Sequence, residues 1–117
     1  MKITIDIDVN NGTAEVEIQG KVYGSKEFYE LLGEMARIHA IKNLDYGAGA
    51  PFGNFKFSED ITGIPAWKGA LVRLTDKWGR IKSLVTRNEG PYVKEESLRD
   101  TLIDNAVYSL LIITLKQ

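Results

Sequence analysis

Residues 95–117, EESLRDTLIDNAVYSLLIITLKQ, constrain the fold more than any other stretch of the chain. In a helix they place Asp100 and Asp104 on one face, because the two residues are four positions apart. Glu96 extends this acidic row by one turn at the start, and Tyr108 extends it by one turn at the end. The opposite side is apolar at helical spacing, with Leu98, Leu102, Ala106, Leu110 and Ile113. Residues 110–113 leave no polar face, so we expect the helix to be central in the fold or buried in a partner chain.

Asp104 is an acidic residue inside this apolar helix. A carboxylate in such surroundings is usually paired or bound to a cation. Two interpretations of Asp104 and the adjoining Asn105 therefore stay open. The pair belongs to a ligand or metal site, or Asp104 bonds an arginine of a neighbouring helix and fixes the packing of the two helices.

The composition limits the chemistry that the chain can perform. A length of 117 residues predicts a single domain with a small core. The net charge of −1 gives no indication of bulk nucleic-acid binding. The chain has no cysteine, which excludes disulfides, thiol catalysis and thiolate zinc sites. His39 is the only histidine, so metal binding would use oxygen ligands and favour magnesium, manganese or calcium.

Neither end of the chain is predicted to meet a membrane. The first residues, MKITIDID, lack the apolar segment of a signal peptide. The C-terminal apolar run is too short and too close to charged residues to span a bilayer. We therefore expect a cytoplasmic protein with no membrane partner.

Residues 2–23 alternate between apolar and polar side chains around Asn11-Gly12, which predicts a β-hairpin. Asn-Gly suits a two-residue loop, because both central positions of that loop need positive φ. The loop would place Ile7 opposite Val16 on an apolar face. A lone hairpin is marginally stable in water, so helices or another subunit are expected to cover this face.

The other face of the predicted hairpin is acidic. The same register would place Asp8 opposite Glu15 and Asp6 opposite Glu17. Two interpretations stay open for this face: a solvated surface on which the repulsion is screened, or a patch that binds a cation or a basic partner.

The rest of the chain, residues 26–117, is predicted to be a helical core. Its helices run from about Lys26 to Asn43, from about Pro65 to Val85, and through the C-terminal stretch. Residues 44–64 are predicted to be a long loop, because glycines interrupt them. Its phenylalanines, among them Phe52 and Phe55, either stack on a base as part of a lid or pocket wall, or pin the connection to the core. The predicted fold class is mainly α, a three-helix bundle core with an N-terminal β-hairpin (α+β), which we expect oligomerisation to complete.

The second predicted helix carries a basic face. Arg73, Lys77 and Arg80 lie on it together with Asp76. This face suits ion pairs with the acidic row of the C-terminal helix, and it equally suits phosphate oxygens, for which Arg and Lys are the usual partners.

Three motifs occur in order along the chain. They are KNLDYG at residues 42–47, RLTDK at residues 73–77 followed by Arg80, and a segment that runs from Glu96 through DTLID at residues 100–104 to Tyr108. Together they resemble the phage and bacterial nucleotide-modification-associated family, over about residues 28–115. That family is similar to the MazG-like all-α nucleoside triphosphate pyrophosphohydrolases. Those proteins are helical bundles, usually dimers or tetramers, whose acidic helix residues hold magnesium ions against the phosphates of a nucleotide.

The resemblance implies a phage-like, nucleotide-handling protein of the host cytoplasm. It implies a catalytic role for Asp100 and Asp104 and magnesium ligation by Glu96, Asp100 and Asp104. The acidic pair has a spacing of four residues, where the pyrophosphohydrolases have three. The candidate nucleotide-binding residues combine those of the three motifs with the cations and aromatic residues described above. They are Lys42, Asp45, Tyr46, Phe52, Phe55, Arg73, Lys77, Arg80 and Tyr108.

Three functions are open on the sequence. The first, which the resemblance favours, is a magnesium-dependent nucleoside triphosphate pyrophosphohydrolase. The second is a non-catalytic protein of the anti-defence type that binds and sequesters a nucleotide or cyclic nucleotide. The third is a pure interaction protein that is built by its hairpin and C-terminal helix. We expect the protein to act as a homo-oligomer, a dimer or larger.

Overall fold

The computed structural model describes residues 1–47, 52–87 and 97–117. Within these ranges the protein is mainly helical and begins with a three-stranded antiparallel sheet, which confirms the predicted fold class. The strands are β1 (Ile3–Asp8), β2 (Thr13–Ile18) and β3 (Lys21–Tyr23), and the helices are α1 (Lys26–Gly47), α2 (Gly53–Thr62), α3 (Ala66–Thr86) and α4 (Leu98–Lys116). The chain forms two compact units, Met1–Ile41 and Lys42–Gln117.

The segment predicted as a long loop, residues 44–64, contains a helix. α1 continues to Gly47, and α2 occupies Gly53–Thr62. Both ends of α2 have left-handed backbone, at Phe52 with φ 58° and at Gly63 with φ 73°. Gly47, Gly53 and Gly63 therefore lie at helix ends, where a glycine costs less than it does inside a helix.

The first hairpin has a register two residues away from the predicted one. Ile7 pairs with Ala14 and Asp8 pairs with Thr13, so the loop has four residues, Val9 to Gly12. The carboxylate of Asp8 explains the longer loop, because it accepts hydrogen bonds from the backbone N–H groups of Asn10 (3.0 Å) and Asn11 (3.3 Å). A shift of two residues keeps each side chain on its predicted face.

The new register also changes the acidic face. Asp6 lies opposite Glu15, whereas Asp8 faces Thr13 and Glu17 faces Thr4. The predicted register had two pairs of facing carboxylates, and the observed register has one, so the repulsion across the strands is smaller than expected.

A second tight turn produces the third strand. Gln19 (φ 52°) and Gly20 (φ 82°) both have positive φ, and Ile18 pairs with Lys21 across them. A two-residue hairpin loop was predicted at Asn11-Gly12. The structure instead has this kind of loop at Gln19-Gly20. The turn places Val22 beside Glu17 on the acidic face, whereas the uninterrupted alternation predicted Val22 on the apolar face.

In the first unit, α1 packs on the sheet. The Ser25 hydroxyl accepts a hydrogen bond from the backbone N–H of Phe28 at 3.1 Å and so caps the start of α1. The carboxylate of Glu27, in the first turn, accepts hydrogen bonds from its own backbone N–H and from the Ser25 hydroxyl. These two bonds lower the pKa of Glu27. Further along, a Cβ at Gly33 would lie only 2.8 Å from the Ile7 side chain, so the absence of a side chain lets α1 approach β1.

In the second unit, α3 packs against α4, and α2 packs against α3. Lys116 at the end of α4 lies over the ring of Trp67 at the start of α3, with Nζ 4.6 Å from the centroid, so the two helices run antiparallel. Among the described residues, the buried ones in this unit are Phe55, Ala70, Thr101 and Ile103. In the described part of the chain, no helix is long and apolar enough to cross a membrane.

Candidate functional site

Asp104 lies at the centre of the candidate site. Its Oδ1 is 3.5 Å from Nζ of Lys42 on α1, and its Oδ2 is 3.4 Å from Nζ of Lys77 on α3. One carboxylate on α4 thus joins two other helices of the fold. This geometry agrees with the packing interpretation of Asp104, with lysines in the place of the expected arginine.

Aromatic rings lie against the two cations of α3. Nζ of Lys77 is 5.8 Å from the ring centroid of Tyr108, and Cζ of Arg73 is 5.5 Å from that of Phe55. The two rings meet edge to face, with their centroids 6.2 Å apart. Because Arg73 and Lys77 are one helical turn apart, α3 presents both cations on one side, over rings that α2 and α4 supply.

Six residues of the predicted site come together in this way, and we call them the basic cluster. Its cations come from α1 and α3, its single carboxylate comes from α4, and its rings come from α2 and α4. The members are Lys42, Phe55, Arg73, Lys77, Asp104 and Tyr108.

For Phe55 the structure supports the second interpretation, that the ring pins the connection to the core. Its side chain is buried in the second unit, at 7% exposure, between Arg73 and Tyr108. It therefore pins α2 to the core and presents no free ring face on which a base can stack.

Five other predicted residues make none of the contacts named above or lie outside the described residues. Asp45 is exposed on α1, and Phe52 is half-buried at the start of α2. Tyr46 belongs to α1 by its backbone, but its side chain lies outside the part that the structure describes, as does Glu96 entirely. Arg80 is half-buried on α3, three residues after Lys77.

Asp100 lies in the first turn of α4, which Ser97 caps. Its backbone N–H donates to the Ser97 hydroxyl at 3.1 Å, and the Ser97 hydroxyl donates to its Oδ2 at 2.7 Å. A carboxylate in the first turn also interacts favourably with the helix dipole. Asp100 thus has a local role in starting the helix, which is independent of any catalytic role.

The described residues do not fit a magnesium site. A magnesium ion needs six oxygen ligands, usually with one or two carboxylates in direct contact. The Asp104 carboxylate already lies between two ammonium groups, and the Asp100 carboxylate is bonded to Ser97. Across residues 1–47, 52–87 and 97–117, no group of three acidic or histidine side chains could hold a metal ion.

Asn105 is a polar residue that the candidate set left out. Its Nδ2 is buried and has no hydrogen-bond partner among the described residues. Buried amide groups nearly always have a partner, so an unpaired donor next to Asp104 is unusual. The signal in the sequence was its position beside Asp104 inside an apolar helix.

No family model, curated protein or solved structure matches this chain. The resemblance to the nucleotide-modification-associated family thus depends on the three motifs alone and stays a prediction.

Proposed function

We propose that this protein binds the phosphates of a nucleotide at the basic cluster and that binding needs no divalent metal. The observation that carries the proposal is the charge of the cluster. Lys42, Arg73 and Lys77 are three cations, whereas Asp104 is the single carboxylate that contacts two of them. The surplus of positive charge suits the several negative charges of a di- or triphosphate.

The way in which the cations are held supports the same proposal. The Asp104 carboxylate holds the ammonium groups of Lys42 and Lys77 close together, and the ring of Tyr108 lies beside the second of them. Cations that are positioned before the ligand arrives lose less conformational entropy on binding. Lysine and arginine would then provide the positive charge that magnesium provides in metal-dependent nucleotide sites.

The choice of a nucleotide as the ligand rests on the three motifs of the resemblance. Their residues supply five of the six members of the cluster: Lys42, Arg73, Lys77, Asp104 and Tyr108. The titration below has to identify the base and the sugar, because the described contacts involve charges and not the edges of a base.

Calorimetric titration with ATP, dNTPs and cyclic nucleotides, in EDTA and in magnesium, tests the proposal. We expect binding in EDTA that weakens as salt is added. Lys77→Gln removes one charge-assisted contact with phosphate, worth about 1.5–3 kcal/mol, so Kd should rise about 10- to 100-fold. Lys82→Gln is the matched control, because Lys82 is an exposed lysine on the same helix, outside the cluster. Its Kd should equal that of the unaltered protein.

Two results would overturn the proposal. Binding that requires magnesium and is followed by release of pyrophosphate would establish the hydrolase alternative. Absence of binding by every nucleotide tested would remove nucleotides from the function and favour the interaction-protein alternative.

A further inference from the structure

The backbone of the sheet has a direction that the turn between β2 and β3 determines. Ile18 and Lys21 flank this two-residue turn, and the pair that flanks such a turn is hydrogen-bonded. Hydrogen-bonded and non-bonded pairs alternate along antiparallel strands. Ile18 therefore directs its N–H and C=O toward β3, whereas Glu15 and Glu17 direct theirs toward β1.

The first strand consequently leaves one edge of the sheet open. Glu15 and Glu17 pair with Asp6 and Thr4, so the residues between and beside them, Ile3, Ile5 and Ile7, direct their N–H and C=O groups out of the sheet. In the described ranges, no backbone group outside the sheet bonds to them. β1 thus presents a row of free donors and acceptors to a further strand.

The two edges of the sheet differ in how they are protected. Proteins protect exposed edges with very short strands, lysine, proline or a bulge. β3 has three residues and begins with Lys21, so it has two of these features. β1 has six residues without lysine or proline, and it pairs with β2 without a bulge. β1 is therefore the edge that is open to pairing.

The side chains beside this edge define the chemistry of the partner. On one face, Ile3 and Ile5 are 49% and 64% exposed. The other face carries four carboxylates and, within β1 and β2, no basic residue; these are Asp6, Asp8, Glu15 and Glu17. Side chains alternate between the faces of a strand, so a complementary strand has apolar residues on the first face and basic residues on the second.

We propose that β1 binds an extended segment of a partner protein in which apolar and basic side chains alternate. In such strand addition, backbone hydrogen bonds give affinity and the alternate side chains give specificity. A second copy of the chain is a poorer occupant, because it would bring the same carboxylates to this face again, whereas a basic strand offsets those already present. Of the two interpretations of the acidic face, the open edge thus favours the basic partner.

The inference is independent of the proposed nucleotide site. Every residue that it uses belongs to the unit Met1–Ile41, whereas the basic cluster belongs to the unit Lys42–Gln117.

Fluorescence anisotropy with a labelled synthetic peptide is the first test. The peptide has about seven residues, the length of a typical strand, and valine alternates with lysine. The control peptide has glutamate in place of lysine. We expect the basic peptide to bind to the full chain and to bind more weakly as salt is added, whereas the acidic peptide should not bind at the same concentrations.

Proline substitution tests the edge itself. Ile5→Pro removes one outward N–H, and proline is tolerated on edge strands where the N–H faces solvent, so circular dichroism should show an intact fold. Kd for the basic peptide should rise about tenfold. Val22→Pro is the matched control, because Val22 directs its N–H out of the opposite edge and is 55% exposed. Its Kd should equal that of the unaltered protein.

Asp6→Asn tests the charge of the acidic face. A cross-strand pair of opposite charges contributes modestly, so Kd for the basic peptide should rise about two- to fivefold.

Hydrogen exchange measured by NMR on the unaltered protein needs no variant. The basic peptide should slow exchange of the Ile3, Ile5 and Ile7 amides. The amides of Thr4 and Asp6, which already face β2, should keep their rates.

Four results would overturn the inference. Absence of binding by the basic peptide, or no added protection at the three isoleucine amides, means that β1 receives no such strand. Equal binding of the acidic peptide, or an equal loss in Val22→Pro, means that the peptide binds elsewhere. Sedimentation that shows a dimer, which Ile5→Pro returns to a monomer, would assign the edge to a second copy instead of a basic partner.

Discussion

Replacing Asp104 with asparagine should destabilise the protein and strengthen its binding of an anionic ligand. The carboxylate is 29% exposed, and its partners Lys42 and Lys77 are 53% and 32% exposed. Ion pairs at such exposure contribute about 0.2–1 kcal/mol each, so the loss of both pairs should cost about 1 kcal/mol. In a chain of this size, 1 kcal/mol lowers Tm by about 4 °C.

The effect on the ligand has the opposite sign. Asparagine keeps the shape of the side chain but leaves the two ammonium groups without an opposing charge. A phosphate group should then bind about three- to tenfold more tightly, because the repulsion that is removed outweighs the loss of the positioning that the carboxylate gives the two ammonium groups. If Asp104 were a magnesium ligand of a hydrolase, the same substitution would weaken or abolish activity. The sign of the change therefore separates the two functions.

Urea unfolding at low salt and in 1 M NaCl measures the stability, and calorimetry with ATP in EDTA measures the affinity. The stability cost should shrink in 1 M NaCl, where the Debye length is about 3 Å. Asp76→Asn is the control, because Asp76 is exposed on α3, and it should change stability by less than about 0.5 kcal/mol. A double-mutant cycle with Lys77→Gln should give a coupling of about 0.5 kcal/mol. Zero coupling, or weaker ATP binding by Asp104→Asn, would refute the reasoning.

Two further substitutions test the fold. Gln19→Asn should raise Tm, because Asn tolerates left-handed backbone. It should recover part of the roughly 1–2 kcal/mol that Gln19 costs at φ 52°. An unchanged or lower Tm would contradict the left-handed conformation at this position. Ala70→Leu should cost about 1–3 kcal/mol in urea unfolding, because Ala70 is fully buried on α3. Ala36→Leu on the exposed side of α1 is its control and should change little, so equal effects would contradict the packing of α3.

Hydrophobic spacing was sufficient to predict three of the helices and the first two strands. The prediction of a helix from about Pro65 to Val85 agrees with α3 within one residue at each end. The register of the hairpin was not predictable from alternation, because a shift of two residues preserves the faces. The side chain of Asp8, which bonds the turn, decided between the two registers.

The basic cluster was predictable in its members and not in its contacts. Lys42 and Asp104 are 62 residues apart in the chain, and nothing local in the sequence relates them. The sequence indicated correctly that Asp104 needs a cation. Whether that cation would be a lysine, an arginine or a metal depended on which helix lies beside α4, and helical spacing carries no such information.

The two faces of α4 also explain why a charged row can exist in so apolar a helix. The sequence led us to expect this helix to be central in the fold or buried in a partner chain. In the second unit it is Asp104 and Tyr108 that contact α3, and these contacts provide the cations that a half-buried carboxylate requires.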